Sequence, residues 1–196
     1  MPDETAAPPN LLALAERVGQ VSPADESEGD SQERILELIA SASAPFFRGH
    51  YVPGHLTASA VVVDPSRTRA LLIFHEKLRL WLQPGGHFEP GEEDPLLAAT
   101  REAKEETGLA CKPGLPEPLF DLDVHTIPAR AAKGARPAEP AHDHFDLRFL
   151  LVASSEDAIV GDGVTAVRWI ELSEAQGLDL DPGLRRALAK VRPLPR

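Results

Sequence analysis

The sequence predicts an α/β sandwich with a mixed β-sheet. Strand-like apolar segments lie before and after one central helical segment, and a further helical pattern follows the last strand. The chain contains no internal repeat. Elements in this order favour layers of helices on a sheet. With 196 residues, the chain suffices for one domain with extensions, which buries about 70% of the surface that its unfolded form exposes.

The first part of the chain, residues 1–55, is predicted to be a helical extension and linker. Residues 11–19 form a short helical pattern, and a polar break follows. A second helix, capped by Asp30 or Ser31, carries apolar residues at helical spacing. These are Ile35, Leu36, Leu38 and Ile39. We expect this extension to pack on or beside the main domain, which we place at 56–196.

The main domain contains six strand-like segments rich in apolar and β-branched residues. They are 56–64, 69–76, 78–84, 118–130, 144–154 and 165–172. The first two flank the turn at 65–68 and are predicted to form a hairpin. Helical patterns at 173–178 and 182–191 follow the last strand.

The charge balance restricts the possible partners. There are 31 acidic and 20 basic residues, a formal net charge of −11, and no Lys/Arg cluster that could follow a phosphate backbone. Duplex nucleic acid is therefore not an expected partner. A small anionic substrate would need a positive charge recruited to the site, most simply a divalent metal ion.

Cysteine content and apolar runs indicate the compartment. The single cysteine, Cys111, excludes an internal disulfide and a zinc site with several thiolates, which fits a reducing environment. The first residues lack the pattern of a secretory signal. The longest apolar runs are much shorter than the roughly 18 residues of a membrane span. We therefore expect a cytoplasmic protein that does not bind membranes.

The central helix has recognisable ends. Asp94 is a favourable N-cap, and Pro95 suits the first helical position because its missing N–H costs nothing there. Gly108 is the residue expected in a left-handed cap after the last turn. The helix should therefore run from Pro95 to Thr107.

Three carboxylates of this helix share one face. At about 100° per residue, Glu102, Glu105 and Glu106 lie within an arc of roughly 100°. A solvated acidic surface is the alternative interpretation. However, Glu105 and Glu106 lie in the last turn, where the helix dipole opposes negative charge. Hard oxygen ligands at this spacing suit Mg²⁺ or Mn²⁺.

The segment 86–109 resembles the Nudix box, G-x5-E-x7-R-E-U-x-E-E-x-G-U, where U is aliphatic. Gly86 opens it, and "REAKEETGL" from Arg101 to Leu109 closes it with Ala103 at the first U position. The chain is similar to MutT-like Nudix hydrolases, in a subgroup with a "WLQPGGH" lead-in and a downstream "HxDLRF" strand. The resemblance implies an α/β/α sandwich and Mg²⁺- or Mn²⁺-dependent cleavage of a phosphoanhydride bond in a nucleoside diphosphate derivative by metal-activated water.

The resemblance also implies roles for individual residues. Glu102 and Glu106 correspond to the principal metal ligands, and Glu105 to an additional or water-mediated one. Arg101 corresponds to the residue that orients a box glutamate, and Gly85 to the donor of a backbone carbonyl ligand. Glu102 and Glu105 are also expected to take part in catalysis.

The spacing of the box departs from the family pattern at one point. Five residues separate Gly86 from Glu92, as the pattern requires, but eight instead of seven then separate Glu92 from Arg101. Glu93 restores the second spacing and makes the first one residue too long. Either glutamate could fill the first position. We prefer Glu93 because it keeps the register to Arg101 along the helix.

Alternation in the strand "HDHFDLRF" places four polar residues on one face, namely His142, His144, Asp146 and Arg148. They could line the substrate cleft, with Arg148 or His144 meeting phosphate. A solvated strand face is an equally good interpretation. A zinc site at His142 and His144 is less favoured because no sulfur ligand accompanies them.

For two further residues, His87 and Trp81, the sequence allows two interpretations. His87, in the glycine loop, could contact substrate or simply be exposed. Trp81 could stack on a base, although a core position is favoured, and Cys111 should be a small buried hydrophobe. A further acid outside the box is expected among three candidates in one loop. These are Glu156, Asp157 and Asp162.

The main alternative function is a Nudix-like sensor that binds a nucleotide without cleaving it, although the complete box argues against it. An isomerase of allylic diphosphates would need a catalytic cysteine, and Cys111 is poorly placed for this. The partner is expected to be a small nucleotide-type molecule. A homodimer is compatible with the N-terminal extension.

Overall fold

The fold was analysed in a computed structural model, which describes residues 9–75, 78–132, 134 and 137–192. These residues form an eight-stranded mixed sheet with helices on both faces, which confirms the predicted fold class. The helices are α1 (Pro9–Gln20), α2 (Glu26–Ser41), α3 (Pro95–Thr107) and α4 (Pro182–Lys190). The strands are β1 (Gly54–Val63), β2 (Arg69–His75), β3 (Leu80–Leu82), β4 (Gly85–Gly86), β5 (Cys111–Pro113), β6 (Leu119–Ile127), β7 (His142–Ala153) and β8 (Ala166–Glu171).

The centre of the sheet is a parallel pair. β1 pairs with β7 over ten residues, from Gly54 opposite Asp143 to Val63 opposite Val152. β5 and β6 extend the sheet beyond β7, and both are antiparallel to it. On the other side β2 and β4 are antiparallel to β1, and β3 and β8 are antiparallel to β2. The predicted β1–β2 hairpin forms, but its ladder is restricted to the end nearest the turn.

The N-terminal helices form part of the core. Apolar residues of α1 and α2 pack in the same buried cluster as the inner face of α3 and one face of β1 and β7. These residues are Leu11, Leu14, Val18, Ile35, Leu38 and Ile39. Burial of apolar side chains is the main source of folding free energy. We therefore expect the extension to stabilise the domain rather than to act as a separate unit.

Helix α2 begins earlier than predicted. Asp25 accepts a hydrogen bond from the Glu28 N–H at 2.8 Å, and the Glu28 carboxylate accepts one from the Ala24 N–H at 2.7 Å. This reciprocal arrangement resembles a capping box. The prediction of a cap at Asp30 or Ser31 was wrong, because Ser31 lies inside the helix and donates to the Ser27 carbonyl.

A second core lies on the opposite face of the sheet, under α4. Leu184, Ala187 and Leu188 of this helix pack against residues of β1, β2, β7 and β8. Trp81 packs at the edge of this cluster, with its ring centroid 5.2 Å from that of Phe74. Trp81 is therefore half-buried at the edge of the core, with the Arg168 guanidinium 4.1 Å from its ring centroid, and the favoured prediction of a core position is met only in part. No helix within the described ranges is long and apolar enough to cross a membrane.

Charged side chains are buried beside this second core. Seven of them, from α2, β6, β7 and α4, form what we call the buried charge network. They are Glu28, Asp121, Asp123, Asp146, Arg148, Arg186 and Lys190. At its centre Arg148 contacts three aspartates, with distances of 3.0 Å from Nε to Asp146, 3.1 Å from Nη1 to Asp121 and 2.9 Å from Nη2 to Asp123. Each of these carboxylates therefore has a cationic partner.

Candidate active site

The helix that carries the box glutamates is held at both ends. Asp94 accepts from the Leu96 N–H at 2.9 Å, and Gly108 adopts the left-handed conformation at φ 70°. Both helix ends are as predicted. The loop 159–162 also contacts the last turn, where the Gly161 N–H donates to the Glu106 carbonyl at 3.0 Å and the Asp162 N–H to the Glu105 carbonyl at 3.1 Å. These bonds satisfy carbonyls that have no partner within the helix.

Arg101 lies at the centre of the carboxylate cluster. Its guanidinium donates to Glu102 at 2.9 Å and to Glu105 at 3.1 Å, and it forms a two-pronged contact with Glu92 at 2.8 and 3.2 Å. It also donates to the backbone carbonyl of His87 at 3.0 Å. A planar guanidinium suits such a fixed array of acceptors. The box helix and the preceding loop are thereby held together.

The geometry favours Glu92 over Glu93 beside Arg101. The Glu92 side chain is only 18% exposed, and its contact with Arg101 lowers its pKa, although burial opposes this. Glu93 is exposed and accepts instead from the Asn10 amide at 2.7 Å. The preference for Glu93 is therefore not supported. The extra residue is accommodated in the turn before Asp94, and the helical register does not extend back to the glutamate pair.

Glu106 and Glu102 face the glycine strand β4. Glu106 accepts from the Gly85 N–H at 3.0 Å, and a Cβ added at Gly86 would lie 2.7 Å from Glu102 Oε1. Burial raises the pKa of both carboxyls, and neighbouring glutamates add to the effect. For Glu106 the pKa rises to about 8 despite the Gly85 hydrogen bond. These carboxylates are therefore short of positive charge.

The predicted substrate residues of β7 do not lie together in a cleft. Asp146 and Arg148 are 3% and 2% exposed and belong to the buried charge network. Asp146 also accepts from the hydroxyls of Thr57 at 3.0 Å and Ser59 at 2.7 Å. The prediction that these two residues contact substrate is not supported, since their polar groups are already engaged in the interior. The solvated-face alternative fails for the same reason.

Histidines gather beside the glycine strand instead. The rings of His55, His87 and His144 lie 4.9 to 5.1 Å apart, and the stacked ring of His142 lies 5.1 Å from His55. Burial lowers the pKa of His55 to about 4, although the His50 carbonyl acts in the opposite direction. Burial, together with nearby positive groups, also lowers the pKa of His87 to about 3 and of His144 to about 2. Two of the predicted substrate residues, His87 and His144, thus come together.

Sequence reasoning missed His55 as a functional candidate. It lies at the end of a segment interpreted as an irregular link, and its neighbour His144 follows 89 positions later in the numbering. Only the parallel pairing of β1 with β7 places the two side by side. The two histidines beside glycine and proline in "RGHYVPGH" were the sequence signal that could have pointed to His55.

The structure places the three candidate acids outside the box in different environments. Glu156 forms an ion pair with Arg69, and Asp157 is exposed. Asp162 is also exposed, but its backbone N–H binds the last turn of α3.

Cys111 is partly buried against the core, and burial raises its pKa to about 11. A thiol with such a pKa is a poor nucleophile.

Comparison with known proteins identifies the class. The NUDIX domain family matches residues 53–191. The chain therefore belongs to the Nudix family, and it is a Nudix hydrolase. The match begins three residues before the predicted main domain. Among curated proteins no match was found.

Solved structures share the fold. A MutT Nudix hydrolase from Burkholderia pseudomallei is 25% identical, with a TM-score of 0.52 over 70% of this chain and 97% of that one. The Nudix domain of Shewanella oneidensis NrtR, solved with ADP ribose, is 19% identical, with a TM-score of 0.50 over 79% and 94%. The dihydroneopterin triphosphate pyrophosphohydrolase of Escherichia coli is 20% identical, with a TM-score of 0.50 over 69% and 92%.

Proposed function

We propose that this Nudix hydrolase cleaves a phosphoanhydride bond in a nucleoside diphosphate derivative and depends on Mg²⁺ or Mn²⁺. The observation that carries the proposal is the carboxylate cluster on the box helix. Within the described part of the chain, Glu92, Glu102 and Glu105 converge on one cation, Arg101, while Glu106 accepts only from the Gly85 N–H. Repulsion in such a cluster is relieved when a cation binds.

The donor set fits a hard divalent ion. Carboxylate oxygens suit Mg²⁺ and Mn²⁺, and neither thiolate nor imidazole lies among these contacts. We assign Glu102 and Glu106 as principal ligands, Glu105 as an additional or water-mediated ligand, and the Gly85 carbonyl as a backbone ligand. When bound, such an ion would offset phosphate charge, polarise phosphorus and acidify water.

The protein's own groups have distinct roles in this proposal. Arg101 orients Glu102 and Glu105 and, through Glu92 and the His87 carbonyl, fixes the loop against the helix. Because Arg101 engages Oε2 of Glu105, we propose that Oε1 accepts the proton of the attacking water. The half-exposed position of Glu105 suits proton exchange with solvent.

The substrate class is proposed from chemistry and fold. Two structural neighbours carry names that refer to phosphorylated compounds, ADP ribose for one and dihydroneopterin triphosphate for the other. We propose that the substrate is a small nucleotide-type anion. Candidates are nucleoside triphosphates, dinucleoside polyphosphates, ADP-ribose and nucleotide sugars.

The test is a hydrolysis screen across these four classes with Mg²⁺ or Mn²⁺. Products are identified by phosphorus NMR, and ¹⁸O-labelled water shows which phosphorus is attacked. Glu102→Gln and Glu106→Gln should each lower kcat at least about 100-fold, the size expected when transition-state charge stabilisation is lost. The matched control is Glu33→Gln, an exposed glutamate of α2.

Two outcomes contradict the proposal. Turnover in both box variants at the wild-type rate would remove these carboxylates from the mechanism. Tight binding of a nucleotide from the panel without metal-dependent product would instead support the non-hydrolysing sensor.

A further inference from the structure

Three histidines from separate parts of the chain meet beside the box. His55 is the second residue of β1, His144 is its direct partner in β7, and His87 follows the two glycines of β4. One ligand nitrogen from each ring lies within 4.8 Å of the other two. We call these residues the histidine triad.

His55 has a buried nitrogen that lacks a hydrogen-bond partner among the residues that the structure describes. Its Nδ1 lies 3.1 Å from the His50 carbonyl, which can only accept a hydrogen bond, so Nδ1 carries the proton. Its Nε2 therefore carries the lone pair. This atom is buried without a hydrogen-bond partner, in a residue that is 1% exposed. An unsatisfied buried polar atom costs about 1–3 kcal/mol, and an N–H bond that fixes the tautomer is typical of metal-binding histidines.

Contacts among the rings alone do not explain the triad. The three rings meet in tilted and edge-on arrangements that leave the Nε2 atom of His55 without a hydrogen-bond partner among the described residues. Neutral imidazoles can lie together without charge repulsion, so the close approach of the three rings favours their neutral form. Neutral imidazole is the form that binds metal.

We propose that His55, His87 and His144 bind a divalent transition metal ion, in the first instance Zn²⁺, with an open coordination position. Imidazole ligands favour Zn²⁺ and similar ions over Mg²⁺. Three histidines with one open position are typical of zinc sites that bind water or an anion.

The required geometry is close to that present. Tetrahedral Zn²⁺ with bonds of about 2.0–2.1 Å separates its ligand nitrogens by about 3.4 Å. The three nitrogens already lie within 4.8 Å of one another, and modest rotation of the side chains would bring them to this shorter separation. His87 is the ring best able to move, because it is partly exposed and follows two glycines. His142 stacks on the His55 ring, and its Nδ1–H donates to the Pro140 carbonyl, 2.9 Å away. This hydrogen bond holds the His142 ring against the triad.

The triad is distinct from the carboxylate cluster but connected to it. The His87 ring belongs to the triad, while its backbone carbonyl accepts from Arg101. An imidazole site and a carboxylate site therefore both adjoin one short glycine segment, β4. The open position of the first would be available to an anion that approaches the second.

The experiment uses full-length, tag-free protein stripped of metal. Co²⁺ replaces Zn²⁺ as the probe because its visible absorption reports tetrahedral nitrogen ligation. We expect one equivalent of Co²⁺ to give this spectrum, Zn²⁺ to abolish it and excess Mg²⁺ to leave it unchanged. His87→Asn and His144→Asn should weaken Co²⁺ binding at least about 100-fold, since even indirect supports of a metal site contribute 10–100-fold.

Two variants serve as controls. His75→Asn removes a histidine of β2 that lies outside the triad, and Glu106→Gln alters the carboxylate cluster. In both variants the tetrahedral Co²⁺ absorption should titrate with a Kd within about threefold of wild type, well below the effect of losing a triad ligand. Circular dichroism of the metal-free proteins checks folding. If His144→Asn does not fold, the partly exposed His87→Asn decides the result.

The proposal is overturned by any of three results. These are wild-type protein that shows no one-equivalent Co²⁺ spectrum, triad variants that bind as wild type does, or equal loss in Glu106→Gln and His144→Asn. The last result would place the ion at the carboxylate cluster. Because the readout is spectroscopic, it does not depend on hydrolysis.

Discussion

The molecule contains two clusters of charged side chains, and they differ in how the charge of their carboxylates is compensated. In the buried charge network, four carboxylates meet three cations, and Arg148 alone contacts three aspartates. In the carboxylate cluster, three of four glutamates contact one cation, Arg101, and the fourth, Glu106, accepts from the Gly85 N–H. The pKa of Asp123 in the network is held well below its ordinary value, whereas that of Glu106 is raised to about 8.

The difference distinguishes a cluster that stabilises the fold from a cluster that we propose to bind a ligand. Burial disfavours the charged form of Asp123 and of the box glutamates, but for Asp123 the His125 hydrogen bond and the charges of Arg148 and Arg186 more than offset it. For Glu102 and Glu106 the nearby groups do not, which supports the proposal that this site binds an added cation. A large number of acidic residues is therefore not evidence of a binding site. The balance between the carboxylates and the nearby cations is the informative observation.

Removal of the central cation of the network should have the largest effect. Arg148→Met leaves three buried aspartates without their shared partner, and loss of one member of a buried ion pair costs about 3–5 kcal/mol. Urea unfolding at pH 7 measures this change. Arg34→Met is the control, because its ion pair with Asp143 is half-exposed. A loss in Arg148→Met no larger than in Arg34→Met would contradict the structural role.

Metal should stabilise the carboxylate cluster. At a Mg²⁺ concentration 100 times Kd, binding to the folded state alone raises the free energy of unfolding by about 2.7 kcal/mol. We expect this gain in wild type and its loss in Glu106→Gln. Thermal unfolding with Mg²⁺ and with a chelator measures both. The same gain in Glu106→Gln would place the ion elsewhere.

Acid should weaken the network through Asp123. Burial tends to raise its pKa, but the His125 hydrogen bond and the charges of Arg148 and Arg186 lower it more. A depressed folded-state pKa gives stability above the ordinary value of 3.8, which is lost as the pH falls through the folded-state pKa. In a His125→Gln background the charges of Arg148 and Arg186 remain, and there Asp123→Asn should cost about 2 kcal/mol at pH 7.

This cost should shrink below pH 3.8. The His125→Gln background removes titration of the imidazole from the comparison. Urea unfolding between pH 7 and pH 3 provides the measurement. A gap that stays constant with pH would show that the charge of Asp123 does not stabilise the fold.

The smallest effect distinguishes the two adjacent glutamates. Glu92→Gln weakens the two-pronged contact with Arg101 and should lower kcat about tenfold, or about 1.4 kcal/mol. Glu93→Gln, which touches Asn10 instead, should remain within about twofold. Steady-state rates on the substrate found in the screen give the comparison. The reverse order would restore Glu93 to the box.

Local patterns were the most predictable part of the molecule. Asp94, Pro95 and Gly108 specify the ends of α3 through neighbouring backbone groups, and both ends lie where predicted. The cap of α2 was misplaced because Asp25 and Asp30 are both favourable cap residues. The choice depends on the reciprocal Glu28 contact.

Long-range pairing was not predictable. The alternation in β7 correctly separates polar from apolar residues, but it does not reveal what covers the polar face. Gly183 of α4 comes so close that an added Cβ would lie 3.0 Å from Arg148. Similarly, the histidine triad depends on the parallel register of β1 and β7, which no local signal encodes.

The most direct test of the distinction between the clusters is calorimetric titration of Mg²⁺ into the metal-free protein. Wild type, Glu106→Gln and Asp123→Asn should be compared in the same buffer. We expect wild type and Asp123→Asn to bind Mg²⁺ with similar affinity, and Glu106→Gln to lose measurable binding. Binding that survives in Glu106→Gln and disappears in Asp123→Asn would contradict the assignment of the two clusters.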